Sequence, residues 1–175
     1  ASGRLLHVIG VLQYLNSDYS QLLATREQIN QLLETITGVR MHSSQVRIGG
    51  VADDFVDYES SLALLDSITI SQLDFSPLVD VGGISTEVKN EWAITGIPSE
   101  SHDAATRMNF VVEKINSSIA KAIKLIGELK QLDGPVNIQL PKVVRVPVGS
   151  SYKFAESATG RVGVWLHSDG EKSPL

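Results

Sequence analysis

Apolar residues recur at helical spacing in the first part of the chain. Leucines and isoleucines lie three or four positions apart over residues 3–17 and again over residues 21–37. Gly38 follows the second stretch, at the position where a glycine ends many helices. The pattern predicts two helices that pack as a hairpin or as part of a bundle.

Two more helices are predicted farther along the chain. The first covers about residues 55–70. The longest covers about residues 101–132, where Asp133-Gly134-Pro135 stops it. Between these two helices, Pro77 and Gly82-Gly83 interrupt the pattern, and we interpret this segment as loop or short strand.

The pattern changes to β type near the end of the chain. Val143–Val146 and Val162–Leu166 are rich in β-branched residues, and Ser168-Asp169-Gly170 supplies a turn after the second run. The chain is therefore predicted to be an α+β protein. A helical bundle over residues 1–133 is followed by a small β-sheet region over residues 134–175.

Bulk composition excludes several classes of protein. The chain has 175 residues, 42% hydrophobic content and a formal charge of −5, without the basic runs that suit nucleic acid. No apolar run reaches the roughly 18 residues that a membrane-spanning helix needs. The chain has no cysteine, which excludes disulfides, thiolate zinc sites, self-ligated iron–sulfur clusters and cysteine nucleophiles.

The polar segment 38–54 is the strongest candidate for a functional site. Arg40, His42 and Arg47 place two fixed cations and a titratable imidazole close together in the chain. The field of the arginines would lower the pKa of His42 and favour its neutral form. Gly49-Gly50 allows positive φ values and a close approach of the backbone to another group. The alternative is a structural loop held by hydrogen bonds.

Other polar residues give weaker signals. Asp18 lies at the junction of the first two helices, where a solvated carboxylate is the ordinary interpretation. Glu156 precedes a turn between β-type runs, where a surface position is usual. No histidine pair has metal-binding spacing, and no catalytic triad, phosphate loop or dinucleotide motif is present. We therefore predict neither a metal site nor a catalytic residue in this chain.

Three separated blocks of sequence resemble the forty-nine-kilodalton, quinone-site subunit of respiratory complex I, itself a relative of the nickel–iron hydrogenase large subunit. The blocks are Arg4-Leu5-Leu6 with Asp18 and Arg26-Glu27, then Gly38–His42 with Arg47–Asp54, and finally Val146–Tyr152 with Glu156–Val164. They follow the order of the family. The region between Asp54 and the longest helix is shorter than in the family, and Arg161 replaces a glutamate, so the resemblance is to a shortened or split version.

The resemblance implies a helical bundle like that of the hydrogenase large subunit and specific roles for the loop. Arg40, His42 and Arg47 would face a 4Fe-4S cluster held by the neighbouring subunit, and would stabilise its reduced form. Gly49 and Gly50 would set the geometry of the loop.

The resemblance also implies roles for three residues other than these five. Asp18 would lie behind the quinone-binding histidine of the family and couple its protonation to the membrane arm, while Asp54 and Glu156 would be structural. That histidine belongs to a family segment upstream of Ala1, and we expect a second chain to complete the fold. Hydrogenase activity is excluded because a nickel–iron site needs cysteine thiolates.

The resulting hypothesis is a peripheral-arm subunit of NADH:ubiquinone oxidoreductase that helps form the quinone-reduction site and binds no cofactor alone. Expected partners are the terminal iron–sulfur cluster subunit, the membrane-arm subunit at the quinone channel and other complex I subunits. The expected location is the matrix side of the mitochondrial inner membrane, with the cytoplasmic face of a bacterial membrane as the alternative. The competing hypothesis is a purely structural scaffold remnant that contacts neither quinone nor cluster.

Overall fold

Helices dominate the structure up to residue 129. A computed structural model describes residues 1–40, 43–54, 57–83, 103–141, 145–157 and 160–171. Within these ranges the helices are α1 (Ser2–Tyr14), α2 (Ser20–Thr37), α3 (Tyr58–Ser67) and α4 (Ala104–Leu129). Helix α1 packs on α2, and α4 packs on both α1 and α3. The helices therefore form a bundle, as the apolar spacing predicts.

The core of the bundle lies between α1 and α4. Leu5 and Val8 of α1 and Ile115 of α4 are completely buried, and buried leucines and isoleucines of α2 and α3 pack around them. Burying each such side chain stabilises the fold by roughly 1.5–3 kcal/mol. Among the described residues, this core includes none that follows α4.

Two aspartates fix the starts of the later helices. Asp57 caps α3 by accepting a hydrogen bond from the Ser60 amide at 3.3 Å, and Asp103 caps α4 by accepting one from the Thr106 amide at 2.8 Å. Asp103 is buried, and its second oxygen accepts a hydrogen bond from the Asp80 amide at 3.1 Å. The same carboxylate therefore ties the segment before α4 to the first turn of that helix.

The helix ends differ from the predictions by a few residues. Helix α1 stops at Tyr14 instead of residue 17, because Asn16 adopts a positive φ of 53° that a helix cannot continue through. Helix α4 lies inside the predicted range 101–132, since the Asp103 cap sets its start. Helix α3 likewise lies inside the predicted range 55–70.

The described part of the segment between α3 and α4, residues 68–83, is irregular apart from a 3-10 turn over Ser76–Leu78. No strand forms over residues 68–83, which are the part of it that the structure describes. Phe75 and Leu78 are buried and pack against the core of the bundle. Residues 84–102 lie outside the described ranges.

Two small antiparallel hairpins supply the β structure. The first pairs β1 (Val46–Arg47) with β2 (Gly50–Val51), inside a segment that the sequence predicts as loop. The second pairs β3 (Gly149–Ser157) with β4 (Gly160–Ser168), which contains the predicted strand Val162–Leu166. The α+β class is confirmed, while the division of the chain into domains at residue 133 stays a prediction.

The predicted strand at Val143–Val146 lies partly outside the described residues, which omit residues 142–144. Its described part, Arg145 and Val146, lies outside any strand, and the partner of β4 is β3. The Val146 carbonyl instead accepts a hydrogen bond from the Ser168 hydroxyl at 3.1 Å. Pro147 follows, and it has no amide hydrogen to donate to a strand ladder.

We expect Ile115→Ala to lower the free energy of unfolding by about 2–5 kcal/mol, because the substitution leaves a cavity at a completely buried position. Urea denaturation of the purified chain, followed by circular dichroism, measures this change. Leu125→Ala on the same helix is the matched control, since Leu125 is 51% exposed and its loss should cost about 0.5 kcal/mol or less. Equal effects of the two substitutions would contradict the described core.

Candidate functional site

The glycine loop, residues 38–54, begins where α2 ends. Gly38 adopts a left-handed conformation with a φ of 73°, and its amide donates a hydrogen bond to the Glu34 carbonyl at 2.7 Å. This geometry confirms the predicted helix end. The Thr37 hydroxyl also donates to the Leu33 carbonyl at 2.7 Å. These bonds fix the direction in which the chain leaves α2.

Arg40 folds back onto α2 after this turn. Its guanidinium lies 2.6 Å from both carboxylate oxygens of Glu27 and 3.2 Å from Glu34. The hydrogen bond to Glu27 is the main reason that the pKa of Arg40 is raised further above its usual range. All three side chains are exposed, so the pairs orient the start of the loop more than they stabilise it. The charge of Arg40 is therefore already matched by carboxylates of its own chain.

A second part of the chain adds to the β1–β2 hairpin as a short third segment. The Val51 amide donates to the Val136 carbonyl at 3.1 Å, and the Ile138 amide donates to the Gly49 carbonyl at 3.0 Å. The Asn137 side-chain amide donates to the Val51 carbonyl at 3.1 Å. The residues just after α4 therefore hold the tip of the glycine loop in place.

Both loop glycines are required by this contact. A Cβ atom at Gly50 would lie 2.3 Å from the Val136 carbonyl oxygen, and one at Gly49 would lie 2.7 Å from Cγ1 of Ile138. The φ values of Gly50 and Gly49 are +147° and +89°, which residues with a side chain rarely adopt. The backbone does approach another group closely here, namely the chain's own segment 136–138, while the role of the two glycines in a functional site stays a prediction.

Arg47 has a different environment from Arg40. It lies on the exposed strand β1, and its Nε donates to the Ser44 carbonyl at 3.3 Å. It forms no ion pair with any residue that the structure describes. His42, the third predicted member of this group, lies outside the described residues, so its placement relative to the arginines stays a prediction.

A cleft of about 580 Å³ lies beside the glycine loop. Its apolar wall comes mainly from Ile36 at the end of α2 and from Ile126 and Leu129 at the end of α4. Asp54, for which the resemblance implies a structural role, lines the same cleft. The volume falls in the range of pockets that bind small molecules. The loop, the end of α4 and the cleft thus form one continuous region.

Asp18 lies far from this region. It precedes α2, and the 18 residues of that helix separate it from the loop by about 27 Å at 1.5 Å per residue. Its carboxylate accepts a hydrogen bond from the Ser20 amide at 2.9 Å, which holds the pKa of this carboxyl below its usual range. Asp18 therefore makes a local hydrogen bond to the first residue of α2.

Glu156 is also separate from the loop. It lies in β3, in register opposite Arg161 of β4. The structure describes the backbone of Glu156 and not its side chain, so its predicted structural role is untested. The predicted site residues therefore divide among three places: the glycine loop, the start of α2 and the second hairpin.

Two features of the region are not predicted from the sequence. Val136, Asn137 and Ile138 begin a short alternation of apolar and polar residues, but nothing in the sequence indicates that this segment pairs with the glycine loop. The other feature is Arg26 on α2, whose Nε is buried and has no hydrogen-bond partner among the described residues. Neighbouring Glu27 pairs with Arg40 instead.

The described residues contain no group of three or more histidine, aspartate or glutamate side chains arranged to hold a metal ion. None of the helices in this part of the chain combines the length and the apolar character needed to cross a membrane.

We expect Gly50→Ala to lower the free energy of unfolding by at least about 3 kcal/mol, from backbone strain plus the clash with Val136. Gly38→Ala is the matched control, because its φ is also positive but its Cβ would meet no atom within 4 Å, so only about 1–2 kcal/mol of strain applies. Amide hydrogen exchange at Val51, whose N–H bonds Val136, reports the local effect. Unchanged protection there in Gly50→Ala would contradict the described contact.

We expect Asp18→Asn to reduce the pH dependence of stability at acid pH. Because the pKa of Asp18 is lower in the folded chain than in the unfolded chain, its stabilisation is present at neutral pH and is lost as pH falls below about 4. The difference in free energy of unfolding between the two proteins should therefore be constant near neutral pH and shrink in acid. Urea denaturation at a series of pH values measures this difference. A difference that grows in acid would contradict the stabilising role of the hydrogen bond between Asp18 and Ser20.

The family model for the respiratory-chain NADH dehydrogenase 49 Kd subunit matches residues 17–69, which include the whole glycine loop. An NADH-quinone oxidoreductase subunit of Salinispora tropica is 23% identical over 85% of this chain and 49% of its own length. One from Carboxydothermus hydrogenoformans is 25% identical over 85% of this chain and 52% of its own, and one from Desulfotalea psychrophila is 27% identical over 85% and 50%. The chain spans about half the length of these curated relatives.

A solved structure has the same fold. A chain of the membrane-bound sulfane sulfur reductase, an archaeal respiratory membrane complex, superimposes with a TM-score of 0.70 over 98% of this chain and 59% of its own, at 20% sequence identity. The family match covers the loop that carries the motif, the relatives cover most of the chain, and the fold agrees. The resemblance that the three sequence blocks predict is therefore confirmed: this chain is similar to the 49 kDa subunit of respiratory-chain NADH dehydrogenase.

Proposed function

We propose that this chain is a peripheral-arm subunit of an NADH:quinone oxidoreductase and forms part of the wall of its quinone-reduction site. The observation that carries the proposal is the glycine loop. The family match encloses it, and the contacts of Gly49 and Gly50 with segment 136–138 hold it rigidly. Chemistry at such a site belongs to the assembly, since no catalytic residue is proposed in this chain.

Arg47 is the cation that the loop can offer to a neighbouring subunit. Its side chain is on an exposed strand and has no carboxylate partner among the residues that the structure describes. A fixed positive charge beside an iron–sulfur cluster stabilises the reduced, more negative form and raises its reduction potential. The cluster itself would be held by the neighbouring subunit, because this chain has no cysteine thiolate to ligate it. His42, which lies on the same loop in sequence, would also stabilise the reduced form of the cluster.

Asp18 would act at a different place. Its carboxylate is ionised at neutral pH, as an aspartate ordinarily is, so it could serve as the negative partner of a quinone-site histidine supplied from outside this chain. A second chain that carries this histidine, the terminal iron–sulfur cluster subunit and the membrane-arm subunit at the quinone channel would be the partners. The position would be peripheral, on the matrix side of a mitochondrial inner membrane or the cytoplasmic face of a bacterial membrane.

The second candidate is a structural scaffold that contacts neither quinone nor cluster. One observation favours it: Arg40, the first cation of the loop motif, is held by Glu27 and Glu34 of the preceding helix and has little charge left to offer. The two functions differ in the role of Arg47, and this residue provides the test.

We expect Arg47→Ala to lower the midpoint potential of the terminal cluster on the order of tens of millivolts, because removing the charge destabilises the reduced form. The complex would be purified from its own cells through a tag on this chain, identified by mass spectrometry, and titrated with detection by electron paramagnetic resonance. NADH:quinone activity would be measured on the same sample.

Arg145→Ala is the matched control, since Arg145 is exposed and lies outside the loop. A shift in Arg47→Ala alone would support the quinone-site function. Identical potentials in both variants, within an intact and active complex, would favour the scaffold. Recovery of this chain without respiratory subunits would overturn both functions.

A further inference from the structure

The β3–β4 hairpin has two apolar faces. Alternate residues of each strand point to opposite sides, so the register of the hairpin defines which side chains share a face. Tyr152, Phe154 and Trp165 share one side, the aromatic face. The other side, which we call the aliphatic face, carries Ala155, Val162, Val164 and Leu166.

Neither face is covered by residues that the structure describes. The valines and leucine of the aliphatic face are between 54% and 59% exposed, and no hairpin residue belongs to the described core of the bundle. A two-stranded hairpin alone is at best marginally stable in water. Clustered apolar side chains with this exposure mark a surface that another molecule covers.

A single charge lies in the middle of the aliphatic face. Lys153 is in register with Val164, between the Ser151–Leu166 pair and the Ala155–Val162 pair. It is exposed and forms no ion pair with any residue that the structure describes. Covering the face with apolar groups alone would bury an unpaired ammonium, which is strongly unfavourable.

We propose that the aliphatic face docks onto a partner protein that supplies apolar side chains around a carboxylate placed opposite Lys153. Burial of the valines and leucine provides the driving force. The pair between the ammonium and the carboxylate sets the register and excludes partners that lack the charge.

A second copy of this chain fits the face poorly. A two-fold axis would bring the aliphatic faces of the two copies together. Because Lys153 lies in the central residue pair of the hairpin, the two ammonium groups would then meet. A lipid surface also fits poorly, because attraction to anionic lipid needs several basic residues. Over residues 145–171 the three basic residues are offset by three acidic ones: Arg145, Lys153 and Arg161 against Glu156, Asp169 and Glu171.

The inference rests on the proposed function only in expecting the partner to be a subunit of the same respiratory complex. The test uses full-length tagged chain in its own cells, with the photo-crosslinking residue p-benzoylphenylalanine in place of Val164. The same residue in place of Leu125, on an exposed part of α4, reports on contacts elsewhere. Mass spectrometry identifies the cross-linked peptides.

Cross-links from position 164 are expected to reach one polypeptide, at an apolar segment that contains an aspartate or glutamate. Lys153→Glu should lower their yield by about tenfold or more, Lys153→Met should lower it less, and cross-links from position 125 should not change. Replacing the partner's carboxylate with lysine should restore the yield in Lys153→Glu. This rescue separates a charge pair from a general loss of folding.

Cross-links only to a second copy of this chain, only to lipid, or to no protein at all would overturn the docking inference. An unchanged yield in Lys153→Glu, or failure of the charge exchange, would also overturn it. If the charge exchange succeeds with a partner outside any quinone-reducing complex, the docking inference stands and the proposed function fails.

Discussion

The packing of two backbone segments against each other at Gly49 and Gly50 determines the geometry of the candidate site. Because neither residue has a side chain, segment 136–138 can add to the β1–β2 hairpin at hydrogen-bonding distance. That contact joins the chain leaving α2 to the chain leaving α4. The exposed position of Arg47 and the cleft beside Asp54 both follow from it.

Charge pairing separates residues that serve this chain from residues available to another one. Arg40 is matched by Glu27 and Glu34, so its charge serves this chain. Arg47 and Lys153 have no ion pair within the described part of the chain. A protein that fits against neighbours in an assembly is expected to leave such charges at its contact surfaces.

Features that depend on local pattern could be predicted from the sequence, and features that depend on distant contacts could not. The apolar repeats predict the four described helices, and Gly38 marks the end of α2 because a left-handed residue there is a local requirement. The β-type pattern at Val143–Val146 does not identify the partner of β4, which is β3, because β propensity does not say which residues pair. Segment 136–138 begins an alternation of apolar and polar residues, but its pairing could not be predicted, since it depends on glycines almost ninety residues earlier.

The bundle and the second hairpin differ in how far their apolar side chains are buried by the described residues. Helices α1 and α4 bury their apolar faces against each other, so the bundle has a core of its own. The hairpin pairs its two strands but exposes apolar side chains on both faces, and its ordering must draw on binding energy from outside the described residues. The loop site is held by contacts within this chain, whereas the proposed docking would couple the stability of the hairpin to assembly.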